Sequence, residues 1–175
     1  MLADSVLETA APNPGAATDA DIPDDAAAYL TFDLDGQIFA VAVQCVREIL
    51  DTQPITRLPN SAHDFLGVID VRGASVPIVD LTAHLGIGTA TEGQDTRVIV
   101  FEFERPDADP RPLGILAERV RDVCRLRLED FEKAPEISDG GIRNDLVLGL
   151  YRLDGALIVV VDLARAFADA PMELC

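Results

Sequence analysis

The chain has no tryptophan, and aromatic residues make up only 5% of its 175 positions. Its interior must therefore be assembled from Val, Leu, Ile and Ala, and a hydrophobic fraction of 49% supplies enough of them for a sizeable core. Positive charge is scarce: 14 Lys and Arg stand against 31 Asp and Glu, a formal charge of −17. A phosphate backbone is gripped through Lys and Arg, so this field argues against a nucleic-acid partner and against docking directly on anionic lipid. It favours solubility and basic protein partners. Cysteine is rare as well. Cys45, Cys124 and Cys175 are odd in number and far apart, with no C-x-x-C. A disulfide framework or zinc site is not expected, which suits a reducing cytosol, and Cys45 and Cys124 read as small buried residues. Long apolar runs are missing: Ala156 to Val161 is a run of six, against the ~20 residues a membrane helix needs. The N-terminal stretch shows no basic region leading into an apolar one, so no signal peptide or membrane insertion is expected, and the expected location is the cytoplasm.

Sets of residues with catalytic spacing are also lacking. His63 lies in a polar turn and His84 on a short helix after Asp80, and neither has a partner at metal-ligand spacing such as H-x-x-x-H. Both read as solvated surface histidines. No serine sits in G-x-S-x-G, and Gly86-x-Gly88 has neither the strand before it nor the long helix after it that a dinucleotide loop needs. Enzymatic work is not expected, and no metal or cofactor is implied.

Residues 1–28 are rich in Ala, Asp and Pro and read as a disordered acidic tail. Order begins at Tyr29, where Leu30, Phe32 and Leu34 alternate with Tyr29, Thr31 and Asp33 in a half-buried strand. Asp35-Gly36 is a hairpin turn, and 38–43 the returning strand. Asn60 or Ser61 is placed to cap a short helical turn through Phe65. Asp80 caps a short helix, 81–85, that stops at Gly86. Residues 96–104 form a long strand, and the three prolines of 106–112 mark a loop, because proline cannot serve a ladder bond. Strands follow at 113–117, 120–126, 146–153 and 156–161, with a polar, irregular stretch at 129–145. A final helix capped by Asp162 precedes a C-terminal tail, 169–175. Short strands at regular intervals with brief helices indicate an all-β barrel or sandwich.

The chain repeats itself. Residues 66–81, LGVIDVRGASVPIVDL, align without gaps to 148–163, LGLYRLDGALIVVVDL, with seven of sixteen positions identical. VREI at 46–49 matches VRDV at 120–123, and FAVAV at 39–43 matches LGILA at 113–117 in pattern. The units recur in the same order at offsets of 82 and 74. Two related β modules of about five strands each are expected, each too small for a robust core alone and so packed together. The groove between them is a natural binding place. The first module spans about 29–88 and the second about 96–168, with strand exchange between them left open.

Within the repeat, one side chain does not recur. Arg72 sits at the strand reversal of 66–81, and Asp154 stands at its counterpart. Shared residues maintain a fold, so the unshared arginine is the better candidate for function. Glu48, in VREI, is placed to pair with it at the edge of the first module and orient it toward a partner. An exposed pair is worth little to stability, ~0–1 kcal/mol. Spacing alone favours the plainer alternatives, a surface ion pair with no partner role or no pair at all.

FAVAVQCVREI (39–49), ITRLPNSAHDFLGVIDVRG (55–73), SVPIVDL (75–81), LGILAERVRDV (113–123), KAPEI (133–137) and LVLGLYRLDGALIVVVDLARAF (146–167), in that order and spacing, resemble the CheW family, the coupling proteins of bacterial chemotaxis. The resemblance covers about 29–167. It implies two small five-stranded SH3-like β-barrels packed on a shared core with short helices, which agrees with the repeat found independently. It implies a non-catalytic adaptor that joins methyl-accepting chemotaxis receptors to a CheA-type histidine kinase. The receptor's helical-hairpin tip would dock in the groove between the barrels, and the kinase's regulatory domain would meet barrel ends. Carried over by position, the receptor face would comprise Val46, Glu48, Ile49, Gly67 and Arg72, with Val120 and Val123 from the second module. No kinase-binding residues are assigned. Such a protein would be recruited to receptor arrays at the inner face of the membrane. Asp70 and Val71 depart from the family, which commonly has an amide-bearing residue and a leucine before Arg-Gly. Two other readings are a scaffold of the same fold in a motility, biofilm or developmental pathway, and a small-ligand-binding β-barrel or unrecognised enzyme.

Overall fold

The computed structural model describes residues 26–105, 107–134 and 146–167. Residues 1–25 of the expected acidic tail, residues 135–145 of the irregular stretch, and the expected C-terminal tail lie outside the described residues. The first strand starts before Tyr29: Ala26 is buried and strand β1 runs Ala27–Leu34. Its hairpin partner β2 is Gln37–Ala42, joined through Asp35 and Gly36 at φ 49° and 73°. Positive φ at both central positions matches the right-handed twist of the strands, which is why Asp-Gly serves here.

Next come β3 (Val46–Asp51), β4 (Phe65–Val71), β5 (Ala74–Val79) and helix α1 (Leu81–His84). After them come β6 (Arg97–Arg105), β7 (Ala108–Ala117), β8 (Arg119–Leu126), β9 (Val147–Leu153), β10 (Ala156–Val161) and helix α2 (Leu163–Ala166). Asp80 and Asp162 cap the helices as expected, accepting from the amides of Ala83 and Arg165, each at 3.1 Å. Asp80 Oδ2 also accepts from Ala90 N at 2.9 Å, tying down the loop that follows α1.

The strands form two five-stranded sheets. One has the order β8-β1-β2-β10-β9, the other β3-β6-β7-β5-β4. The orders coincide once β8 is matched with β3, β1 with β6, β2 with β7, β10 with β5 and β9 with β4. Four of these matches are the correspondences of the internal repeat, and the sheet order adds β1 with β6. The sheets do not follow the two halves of the chain, however. Hairpin β1–β2 joins β8, β9 and β10 from the second half, and hairpin β6–β7 joins β3, β4 and β5 from the first. Each half lends its hairpin to the other's sheet. The two joints, β2 with β10 and β5 with β7, are the parallel pairings, as long-range crossovers allow.

Each sheet curls into a small barrel, and the seams correspond. Thr56 bridges to Val68 in one, Glu132 to Leu150 in the other. Gly67 borders the first seam at φ 140°, and a Cβ there would lie 2.2 Å from Thr56 O. Its counterpart Gly149 borders the second, where a Cβ would lie 2.8 Å from Phe131 Cβ and 3.0 Å from Glu132 O. The repeated glycine is therefore a close-approach position in both barrels.

Apolar packing divides three ways. A central cluster joins the two sheets, with Leu30, Phe32, Phe39 and Val41 on one side and Val79, Ile99, Phe101 and Ile115 on the other. Leu81, Leu163 and Phe167 from the helices and their ends complete it. Each barrel also has its own interior: Ile69, Val76, Ile78, Val98, Val100 and Leu116 in one, Tyr29, Ala40, Leu126, Ile158 and Val160 in the other. Two barrels of this size share a core because neither interior alone would be large.

Four local expectations change. The loop expected at 106–112 is mostly strand, since β6 and β7 stay paired out to Arg105 and Ala108. β5 meets β7 only at Gly114 and Ile115, so Pro110 and Pro112 lie where one side of β7 is unpaired and a missing amide is tolerated. The 61–64 segment forms turns instead of a capped helix, and Ser61 Oγ bonds back to Leu58 O. Cys45 and Cys124 are half-buried at cluster margins rather than interior. His84 is not a solvated histidine. Its Nδ1 lies 2.7 Å from Asp64 Oδ2, its Nε2 3.2 Å from Ala166 O, and its ring stacks on Phe167 at 4.8 Å. It fastens the end of α1 to the end of α2. His84→Ala should cost about 1–2 kcal/mol of unfolding free energy in urea titration.

Candidate partner-docking site

The β4–β5 turn presents Arg72 at φ 51° and Gly73 at φ 86°. The counterpart β9–β10 turn has Asp154 at 52° and Gly155 at 82°. Backbone geometry is thus shared, and the difference lies in the side chain. The Arg72 side chain is 71% exposed, while its partner Glu48 is 19% exposed, with Arg72 Nη2 donating to Glu48 Oε1 at 2.5 Å. Glu48 belongs to β3 and Arg72 follows β4, which are the two margins of one sheet. The pair forms because the sheet curls and brings its margins together.

A register shift between Val46 and Glu48 in the β3–β6 pairing helps aim the acid. Along β3, exposure alternates: Val46, Glu48 and Leu50 are half-buried, and Arg47, Ile49 and Asp51 face out. On the other barrel, the positions of Glu48 and Arg72 are held by Asp122 and Asp154, which cannot pair. The fixed cation is therefore a feature of one barrel. A double-mutant cycle of Glu48→Ala and Arg72→Ala should return a folding coupling below about 1 kcal/mol, since the arginine is largely exposed.

The other carried-over residues fall into two kinds of place. Val46 lies opposite Phe101 in the β3–β6 pairing, and Val120 opposite Phe32 in the β8–β1 pairing. Both phenylalanines are fully buried in the shared core, and both valines pack against that core. The repeat thus sets two half-buried apolar residues on the rim of one cluster, one from each sheet. Ile49 and Val123 are also repeat counterparts, and they are 43% and 57% exposed. Gly67 is buried in the barrel seam beside Ile55 and Thr56.

Asp70 also belongs to the site, although its sequence context gives it no role there. Asp70 Oδ1 accepts from Gly73 N at 2.8 Å, within the turn that carries Arg72. The signal was an Asp three residues before a turn glycine.

Nucleophile chemistry has little support in the cysteines. Burial pushes both thiols up, with Asp162 adding to it at Cys45 and Asp122 at Cys124, where a Thr31 hydrogen bond opposes. Raised thiols stay protonated and are poor nucleophiles and metal ligands. Among the described residues there is no group of three or more His, Cys, Asp or Glu placed to hold a metal ion, and no helix long and apolar enough to cross a membrane.

Comparison with known proteins places this geometry. Residues 28–170 match the model of the CheW-like domain. The chain is 31% identical over 144 residues to the probable chemotaxis protein CheW of Rhizobium etli, covering 82% of this chain and 89% of that one. It is similarly 31% identical to chemotaxis protein CheW of Rhizobium meliloti, with the same coverage, and 28% identical to that of Thermotoga maritima over 144 residues, covering 82% and 89%. In fold it is similar to the crystal structure of the scaffolding protein TtCheW from Thermoanaerobacter tengcongensis, with a TM-score of 0.71, 22% identity, and coverage of 86% of this chain and 93% of that one. Two related barrels on one core, the duplicated strand order and these matches together mean that the chain belongs to the CheW-like domain family, non-catalytic scaffold and adaptor proteins of chemotaxis signalling.

Proposed function

We propose that this protein couples the cytoplasmic tips of methyl-accepting chemotaxis receptors to the regulatory domain of a CheA-type histidine kinase, at the inner face of the membrane. The observation that carries the reading is the Glu48–Arg72 pair, an exposed guanidinium held by an acid of the same strand that carries Val46 to the rim of the shared core. A helical hairpin is recognised by burying apolar anchors while a fixed charge sets register. Ile49 and Val123 are the exposed apolar residues that would meet such anchors, and Val46 and Val120 would floor the groove. The charge of −17 suits partners that bring basic side chains and keeps the adaptor off bare anionic lipid.

The test is reconstitution of the purified full chain with a soluble receptor-tip hairpin and a CheA-type kinase. A three-component complex by size exclusion, with neither partner lost on washing, is the expected result. Recovery of neither partner would overturn the proposal. A deletion strain that swims up gradients normally, with no second adaptor gene, would move the protein to a non-chemotactic pathway.

A further inference from the structure

We propose that Asp70 is a positioning residue for Arg72: it clamps the backbone of the turn so that the guanidinium is presented in one place. This rests on reading Arg72 as partner-facing. The three Gly hairpin turns share positive φ at both central positions. Asp35 and Asp154 suit the first of those positions, because Asp tolerates the left-handed region. Arg72 does not belong to that class, and a side chain of its kind is uncommon there. A turn with an arginine in that place needs something to hold it.

Asp70 supplies the hold. Val71 and Ala74 are the last registered pair of β4 and β5, so the Gly73 amide lies beyond the ladder. Asp70 Oδ1 takes that amide at 2.8 Å and fixes the peptide between Arg72 and Gly73. Neither of the other two turns is built this way. Asp33, in the matching place before Asp35-Gly36, instead bonds Arg121 Nε at 2.5 Å. Arg152, the counterpart before Asp154-Gly155, cannot accept and pairs with Glu132 at 3.0 Å. The clamp therefore occurs only at the turn with the ill-suited residue. Arg72 is held at both ends, its backbone through Asp70 and its guanidinium through Glu48. A group ordered before binding loses less freedom on binding.

The experiment uses the full chain as wild type, Asp70→Ala, Asp70→Asn and Arg72→Ala. Two quantities are read: hydrogen exchange of the Gly73 amide by NMR, and affinity for a soluble receptor-tip hairpin. Asp70→Ala should speed Gly73 exchange and weaken binding about three- to tenfold, the loss of one hydrogen bond's worth of ordering. Asp70→Asn, whose amide oxygen can accept the same bond, should restore both. An Asp70→Asn protein as impaired in binding as Asp70→Ala would overturn the clamp, since the partner would then be reading the carboxylate's charge. So would normal binding by Asp70→Ala alongside a clear loss in Arg72→Ala. If Asp70→Ala frees the Gly73 amide while Arg72→Ala binds normally, the clamp exists but the partner role assigned to Arg72 fails.

Discussion

Arg72→Ala should weaken receptor-tip binding about 10- to 100-fold while lowering fold stability by no more than about 1 kcal/mol. Arginines near the centre of interfaces are among the residues whose truncation costs most, commonly 2 kcal/mol or more. Folding should not suffer in proportion. The exposed pair with Glu48 contributes roughly 0–1 kcal/mol, and the cost of holding a residue with a Cβ in the left-handed region is carried by alanine as it is by arginine. Arg72→Asn isolates the functional part, since Asn accepts φ 51° readily. It should bind as poorly as Arg72→Ala and unfold at equal or higher urea concentration, by up to about 1 kcal/mol. Titration calorimetry and urea unfolding on the same preparations check both halves.

Gly67→Ala should have the largest effect on stability, about 3 kcal/mol or more, enough to threaten a marginal domain. Two costs add. The backbone at φ 140° is one that L residues rarely adopt, and the new methyl would sit 2.2 Å from Thr56 O and 2.7 Å from Ile55 Cγ2. The carbonyl belongs to the seam bridge, with Thr56 and Val68 bonded in both directions at 2.9 Å, so relief would open the barrel. Gly149→Ala meets the matching seam at 2.8 Å with no positive φ, so it should cost less. Thermal unfolding of both variants gives the order directly. Loss of binding by Gly67→Ala would then follow from the barrel and not from a lost contact.

Much of this architecture could be read from residue pattern. Alternation located β1, Asp-Gly pairs located two hairpin turns, and Asp80 and Asp162 declared two helix starts. The duplicated 66–81 and 148–163 segments pointed to two equivalent modules. The exchange of hairpins was another matter. Alternation tells which face of a strand is buried but not which strand lies beside it, and two related halves can pair within or across. The prolines of 106–112 misled because their cost depends on whether the missing amide faces a neighbour. His84 reads as solvated in sequence because its partners, Asp64 and Ala166, are 20 and 82 residues away in the chain. The Glu48–Arg72 pair spans 24 residues and depends on barrel closure, which spacing could suggest but not decide. Asp70 stood out as unusual, yet its partner amide became visible only with the turn geometry.

The measurement that bears most directly on the adaptor reading is a parallel binding experiment with wild type and Arg72→Ala, each titrated against a receptor-tip hairpin and against the kinase regulatory domain. The adaptor account predicts that wild type binds both, and that Arg72→Ala loses the receptor by tenfold or more while binding the kinase domain as wild type does. Equal affinity of the two proteins for the receptor tip, or equal loss toward both partners, would contradict it.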